Sequence, residues 1–220
     1  GNEYSYLETP VTKVLVAPYD AKQIYMAQIS NLDKKYDPAI EPIRALYDEY
    51  FGGGMNSIVF QEMRETRGLA YSAWASIMPP SYLKYPYVLR TQIATQNDKM
   101  IDAVTTFNDI INNMPESEAA FKLAKDGLTN RLRTERIIKG DIIWSYINAQ
   151  DLGQNVDPRI KLYNDIQNMS LKDIVDFQKQ WVKGRTYVYC ILGDKKDVEL
   201  DKLKAVGPIE ELTQEQIFGY

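Results

Sequence analysis

From Asn97-Asp98 to Gly184 the sequence keeps helical periodicity almost without a break, while the segments on either side are short, β-branched and apolar. A block of helices that long, bracketed by strands, can bury its apolar stripes by lying across a sheet. Upstream, Thr12–Pro18 (TKVLVAP) and Gln23–Ser30 (QIYMAQIS) predict two strands, the second with Ile24, Met26 and Ile29 in rough alternation. Asp37-Pro38 then opens a helix with Ile40, Ile43, Leu46 and Tyr47 at helical spacing, and Gly52-Gly53-Gly54 ends it. A short helix from Asn56 to Thr66 is closed by Gly68, in a position that favours a left-handed cap. Ala70–Met78 and Tyr87–Thr95 predict a hairpin broken by Pro79-Pro80.

Within the helical block, Asp98 caps a helix carrying Ile101, Val104, Phe107 and Ile111. Pro115 with Glu116 and Glu118 starts a longer one through Leu132, which Gly140 closes. Asp141 starts a third, to Leu152-Gly153, and Asp157-Pro158 a fourth. Ser170 and Asp173 resemble a capping box for a fifth, ending at Gly184. Thr186–Leu192 predicts a closing strand, and the tail from Pro208 is too polar to assign. The expected fold is α+β: one mostly antiparallel sheet of about five strands, with helices packed on one face. No repeat, low-complexity tract or long linker divides residues 1–220. They are expected to form one domain, with 1–10 and 208–220 as lead-in and exit segments.

Composition narrows the chemistry. A net charge of −4 offers no basic field for phosphate, so the sixteen tyrosines do not make a nucleic-acid binder. There is no histidine, which removes the commonest general base and the imidazole ligands of most zinc enzymes. The one cysteine, Cys190, lies in the apolar run TYVYCIL and reads as a strand thiol rather than a nucleophile. No D-x-D-x-D-G loop is present, and no apolar run approaches the roughly 20 residues of a membrane span.

The most informative stretch is FGGGMNSIVFQEMRETRGLAYS, Phe51 to Ser72. The glycines lead into Met-Asn-Ser, not Gly-Lys-Ser/Thr, so they are no phosphate loop; a turn needing positive φ is the simple alternative. Helical spacing turns Ile58, Val59 and Met63 toward a core and Gln61, Arg64 and Glu65 away from it. Tyr71 opens the next strand, on one side with Ala73 and Ala75, while Ser72, Trp74 and Ser76 face the other. A guanidinium and a phenol at adjoining element ends can hold a peptide carbonyl or an oxyanion. By spacing alone, an ion pair for Arg64 and a core margin for Tyr71 are the commoner roles.

With AYSAWA added, the stretch resembles the signature of the second homologous domain of the insulinase/pitrilysin family of zinc peptidases: a Gly-Gly pair, Ser or Asn, a helix with Arg, then Gly-Leu-Ala-Tyr. The order of elements over nearly the whole chain is also similar to that fold, which mitochondrial processing peptidase shares. The resemblance implies a domain without metal, paired with a homologous catalytic half, fused upstream or separate, whose His-x-x-Glu-His binds the zinc. The two would close around a peptide substrate. It implies auxiliary catalytic roles for Arg64 and Tyr71, and substrate binding by Arg64, Tyr71, Gly53 and Gly54. The alternative is a non-peptidase structural or binding subunit of the same fold. The resemblance, with the start at Gly1, slightly favours an exported or periplasmic bacterial protein over a cytoplasmic one. In metal-binding domains of the family the helix before the glycines carries ligands. Here it offers Glu41, Asp48 and Glu49, expected as a solvated face. Arg131, Arg133 and Arg136, with Glu135, are expected as a second solvated surface.

Overall fold

The computed structural model describes residues 6–194 and 196–219. Its centre is one six-stranded sheet in the order β3-β4-β2-β5-β1-β6. The strands are β1 (Lys13–Pro18), β2 (Gln23–Lys35), β3 (Ser72–Met78), β4 (Pro86–Gln96), β5 (Val188–Gly193) and β6 (Ile209–Glu211). β2 runs antiparallel to β4 and β5, as β3 does to β4, but β1 is parallel to both β5 and β6. The sheet is therefore mixed and six-stranded, not mostly antiparallel with about five strands. The sixth strand lies in the polar tail. Three residues long at a sheet edge, β6 needs main-chain pairing to Val14–Val16 but no apolar alternation of its own. Another short helix, α9 (Gln214–Phe218), follows it behind a Thr213 capping box.

Alternation along the strands separates two faces. Val14, Val16, Ile24, Met26, Ala73, Ala75, Ile77, Leu89 and Ile93 are buried together under the helices. The covering helices are α1 (Glu41–Phe51), α3 (Met100–Asn112), α4 (Glu118–Thr134) and α7 (Leu171–Trp181). Tyrosines act as struts in this core. The Tyr47 hydroxyl donates to the buried Gln178 side chain, which in turn donates to the Ile111 carbonyl, so three helices share one polar link. The Tyr50 hydroxyl donates to the Pro115 carbonyl at 2.8 Å and accepts from the Ser117 amide at 3.0 Å, fixing the start of α4 against α1. Each is a buried polar group with a partner, which its burial requires.

Several boundaries differ from the sequence expectation. α4 starts at Glu118 rather than at Pro115, capped by Ser117, which accepts from the Ala120 amide. α4 ends at Thr134, and Gly140 is the first residue of α5 (Gly140–Asp151), preceded by Lys139 at φ 48°. α6 (Pro158–Ile166) and α7 start where Asp157 and the Ser170–Asp173 capping box place them. The triple glycine ends α1 for a reason other than positive φ. Gly52 sits at φ −138°, but a Cβ there would lie 2.2 Å from the Ala75 carbonyl oxygen and 2.5 Å from its nitrogen. The helix end touches the β3 backbone directly, a contact that only glycine allows. A Cβ on Gly54 would meet nothing within 4 Å. Gly52→Ala is accordingly expected to lower stability by roughly 3 kcal/mol or more, and Gly54→Ala by well under 1, in denaturant melts. Equal losses for the two would show that the close approach is not what the glycine serves.

Candidate functional site

The stretch after α1 folds as a tight loop and a short helix that widens toward its end. Ser57 caps α2 (Ile58–Phe60), its hydroxyl donating to the Gly54 carbonyl at 2.6 Å, and the Gln61 side-chain Nε2 donates to the Met55 carbonyl at 2.6 Å. The helix then widens into a π-helical turn over Gln61–Thr66. Its exit is pinned because the Leu69 and Ala70 amides both donate to the Met63 carbonyl, at 2.8 and 3.2 Å, while Gly68 takes the left-handed φ of 56°. Met63 is the buried anchor of this turn. Widened turns of this kind interrupt helices at a cost and are frequent at functional sites.

The widening turns Arg64 toward Tyr71. The guanidinium carbon lies 5.8 Å from the Tyr71 ring centroid and 5.1 Å from that of Phe60, so the cation rests between two aromatic faces. Among the described residues, Glu65 comes within ion-pair range of it, at 3.7 Å. Tyr71 is 70% exposed, precedes β3, and is fixed by its amide donating to the Ala94 carbonyl at 2.8 Å. Unlike Ala73 and Ala75, it is not part of the covered face. Its hydroxyl has no hydrogen-bond partner among the described residues. Neighbouring groups hold the segment between the pair: the Thr95 hydroxyl donates to the Leu69 carbonyl at 2.6 Å and the Lys99 ammonium to the Gly68 carbonyl at 3.0 Å. The sequence reading did not single out Phe60, Thr95 or Lys99: Phe60 lies one helical turn before Arg64, while Thr95 and Lys99 reach the pair from the end of β4 and just beyond it. Gly53 and Gly54 are exposed in the loop that α2 closes.

The open face of the sheet adjoins this pair. Trp74 on the edge strand β3, with the Arg90 guanidinium 5.7 Å from its ring, is in register through Gln92, Ala27 and Cys190 with Leu15. Burial raises the Cys190 thiol above its usual range, so it is not poised as a nucleophile.

The helix α1 is not a solvated face. Arg44 donates to Glu41 Oε2 at 2.9 Å, to Asp48 Oδ2 at 2.8 Å and to the Ile77 carbonyl at 3.1 Å. Asp48 also accepts from the Ile77 amide at 2.8 Å and the Ser76 hydroxyl at 2.9 Å, and Glu41 accepts from the Tyr87 hydroxyl at 2.6 Å. Glu41 and Asp48, seven residues apart, turn to the same side of the helix, and the guanidinium between them makes their burial tolerable. Glu49 pairs with Arg131 at 2.8 Å, and Arg133 donates to the Tyr163 hydroxyl at 2.8 Å, so these arginines tie α4 to its neighbours rather than merely facing solvent. Among the described residues no group of three or more His, Cys, Asp or Glu side chains could hold a metal ion. Nor do the α1 carboxylates fit zinc, because Arg44 already occupies them and no imidazole is present.

The family model described as the peptidase M16 inactive domain matches residues 14–128. The chain belongs to this family. Solved structures with the same fold include a peptidase M16 inactive domain from Pseudomonas fluorescens (15% identity, TM-score 0.71, covering 89% of this chain and 47% of that one). A protease from Helicobacter pylori is similar at 12% identity and TM-score 0.67, covering 86% of this chain and 47% of that one. A chain of complex III2 from Candida albicans, with Inz-5 bound, matches at 13% identity and TM-score 0.63, covering 90% and 49%. The chain thus spans about half the length of these structures. No curated protein matches it.

The buried clamp gives a pH signature. Desolvation pushes the Asp48 carboxyl up to about 6, against the opposing pull of Arg44 and the Ile77 and Ser76 hydrogen bonds. A carboxyl raised on folding holds its proton more tightly in the native state, so its contribution is present at low pH and lost as pH rises through 6. From pH 5 to 7 this amounts to a loss of about 1.4 kcal/mol. Unfolding free energies of the parent and of Asp48→Asn, measured at both values, are expected to show that loss in the parent alone; parallel pH slopes would refute it.

Proposed function

We propose that residues 1–220 form one domain, the non-catalytic half of a zinc-dependent endopeptidase, which closes a peptide-binding chamber over a homologous catalytic half. The observation that carries this reading is the Arg64–Tyr71 pair. It is exposed, stacked, held by five hydrogen bonds to its main chain at the start of an edge strand, and set in the sequence context that resembles the family signature. Zinc in the catalytic half would supply the activated water. The part of this chain is to bind and orient: Arg64 donates to the substrate carbonyl oxygen as it gains negative charge, and the Tyr71 hydroxyl donates alongside it. The β3 edge offers main-chain pairing to an extended peptide, and the open face with Trp74 forms wall. Gly53 and Gly54, exposed and without side chains, leave backbone accessible near that wall. An exported or periplasmic setting is part of the proposal.

A second reading is a structural or binding subunit without peptidase activity. It is favoured by the fold likeness to a chain of complex III2. The experiment that separates them uses the intact protein with both halves and an unfolded peptide. Chelator-sensitive hydrolysis, with kcat falling roughly 100- to 1000-fold in Arg64→Ala and in Tyr71→Phe while the melting transition is unchanged, supports the first reading. Rates within about threefold of the parent remove the proposed roles of the pair, and no hydrolysis by the parent leaves the subunit reading.

A further inference from the structure

A cavity of about 450 Å³ lies between α3, β5 and the turn after α8 (Leu200–Leu203), and shares no residue with the Arg64–Tyr71 pair. Its size is that of a site for a small molecule. Ile101, Val104, Thr105, Asn108 and Asn112 line it from one face of α3, and Ala205 and Val206 add to the apolar wall. Most polar groups around it are already engaged. Asn108 Oδ1 accepts from Gln28 Nε2 at 2.6 Å and from the Tyr189 hydroxyl at 2.9 Å. Asn112 donates to the Asn108 carbonyl at 2.8 Å and accepts from the Gly184 amide at 3.0 Å, which fixes the turn presenting Arg185. The Tyr187 hydroxyl is the exception. Tyr187 lines the cavity and is only 4% exposed, yet its hydroxyl has no hydrogen-bond partner among the described residues. Buried hydroxyls ordinarily have one. Burial raises this phenol above its ordinary pKa, so it keeps its proton and donates. Beside it, Arg185 donates through Nε to the Trp181 carbonyl at 3.0 Å and through one terminal nitrogen to the Leu32 carbonyl at 3.5 Å, which leaves the other terminal nitrogen for an acceptor.

We propose that this cavity binds a small carboxylic acid with an apolar body, its carboxylate held by the Arg185 guanidinium and the Tyr187 hydroxyl. Three features select that chemistry. Among the described residues no carboxylate lines the cavity, and Arg185 is in no ion pair, so an anion is the natural counterpart. The second lining cation, Lys202, already pairs with Glu199 at 2.7 Å. One unpaired guanidinium balances a monoanion rather than a phosphate dianion, and its planar fork suits a carboxylate. The aliphatic side chains of Ile101, Val104 and Val206 fit an apolar body better than a sugar or a nucleotide. The occupant would touch α3, β5 and the turn between α7 and β5 together, and so stabilise the native state. The proposal is independent of whether a catalytic half accompanies the domain.

The test is titration of the intact protein with phenylacetate and with octanoate, read by saturation-transfer NMR and by the rise in melting temperature. Phenylacetamide and inorganic phosphate serve as comparisons. At least one acid is expected to bind, phenylacetamide roughly tenfold or more weaker than phenylacetate, with no displacement by phosphate. Tyr187→Phe removes a hydroxyl that has no partner to lose, so without probe it is expected to melt no lower than the parent. It should nevertheless weaken acid binding about threefold or more, and Arg185→Gln about tenfold or more. Ala205→Trp, at an exposed position on the cavity wall, should block it. A peptide's C-terminus carries the same head group: tighter binding of N-acetyl-leucyl-phenylalanine than of either acid, lost in its C-terminal amide, would make a peptide end the source and support the assignment. Binding of neither acid, equal binding of phenylacetamide, displacement by phosphate, or parent-like affinity in both Tyr187→Phe and Arg185→Gln would each overturn it.

Discussion

The seating of α1 on β3 is the contact on which the rest of the structure depends. Two features set it. Gly52 lets the helix end meet the Ala75 backbone, and Arg44 neutralises Glu41 and Asp48 so that Asp48 can accept from Ile77 and Ser76. Without the guanidinium, two carboxylates would lie half-solvated against a sheet, and a buried unpaired charge costs several kcal/mol. With it, the helix is held at both ends: Tyr87 reaches Glu41 at the start, and the glycine contact fixes the finish. Everything downstream inherits that position. The loop from Gly53 begins at a fixed point, α2 packs Ile58 and Val59 into the same core, and the π-helical turn delivers Arg64 beside Tyr71.

This arrangement explains why an exposed pair can be well placed. An arginine and a tyrosine on a surface lose side-chain entropy when ordered, and stacking returns only part of it. Their order therefore comes from the backbone beneath them. Leu69 and Ala70 share the Met63 carbonyl, Thr95 and Lys99 hold the carbonyls of Leu69 and Gly68, and Ala94 receives the Tyr71 amide. Rigid support under an accessible polar group is what preorganised recognition requires.

The sequence made the covered face and the order of elements legible, because burial of β1, β3 and the helices follows strict periodicity. It showed Arg64 and Tyr71 through a motif and a fixed spacing. It did not show the sixth strand, since three residues paired by main chain alone leave no side-chain pattern. Parallel pairing of β1 was equally hidden: it depends on where β5 returns after the helical block, and local sequence carries no record of that. The largest misreading was α1. Acidic residues on a helix ordinarily face water, and Glu41 and Asp48 were read that way. The signal that could have corrected it was Arg44, placed three residues after one carboxylate and four before the other, with Ser76 available on the strand below.

Arg44 also bears on why the α1 carboxylates do not form a metal site. A helix that directs carboxylates at the backbone of a sheet must supply positive charge for them, and a divalent ion or a guanidinium can do so. Here the charge is covalent, fixed at i−3 and i+4, and fully committed to two carboxylates and a carbonyl. A cation supplied that way cannot exchange a ligand for water or substrate, so it stabilises the helix without opening a reactive position. The clamp thereby fixes the helix from which the loop to the surface pair departs. On the outside, Arg64 and Tyr71 lie exposed at one edge and helix α5 at another.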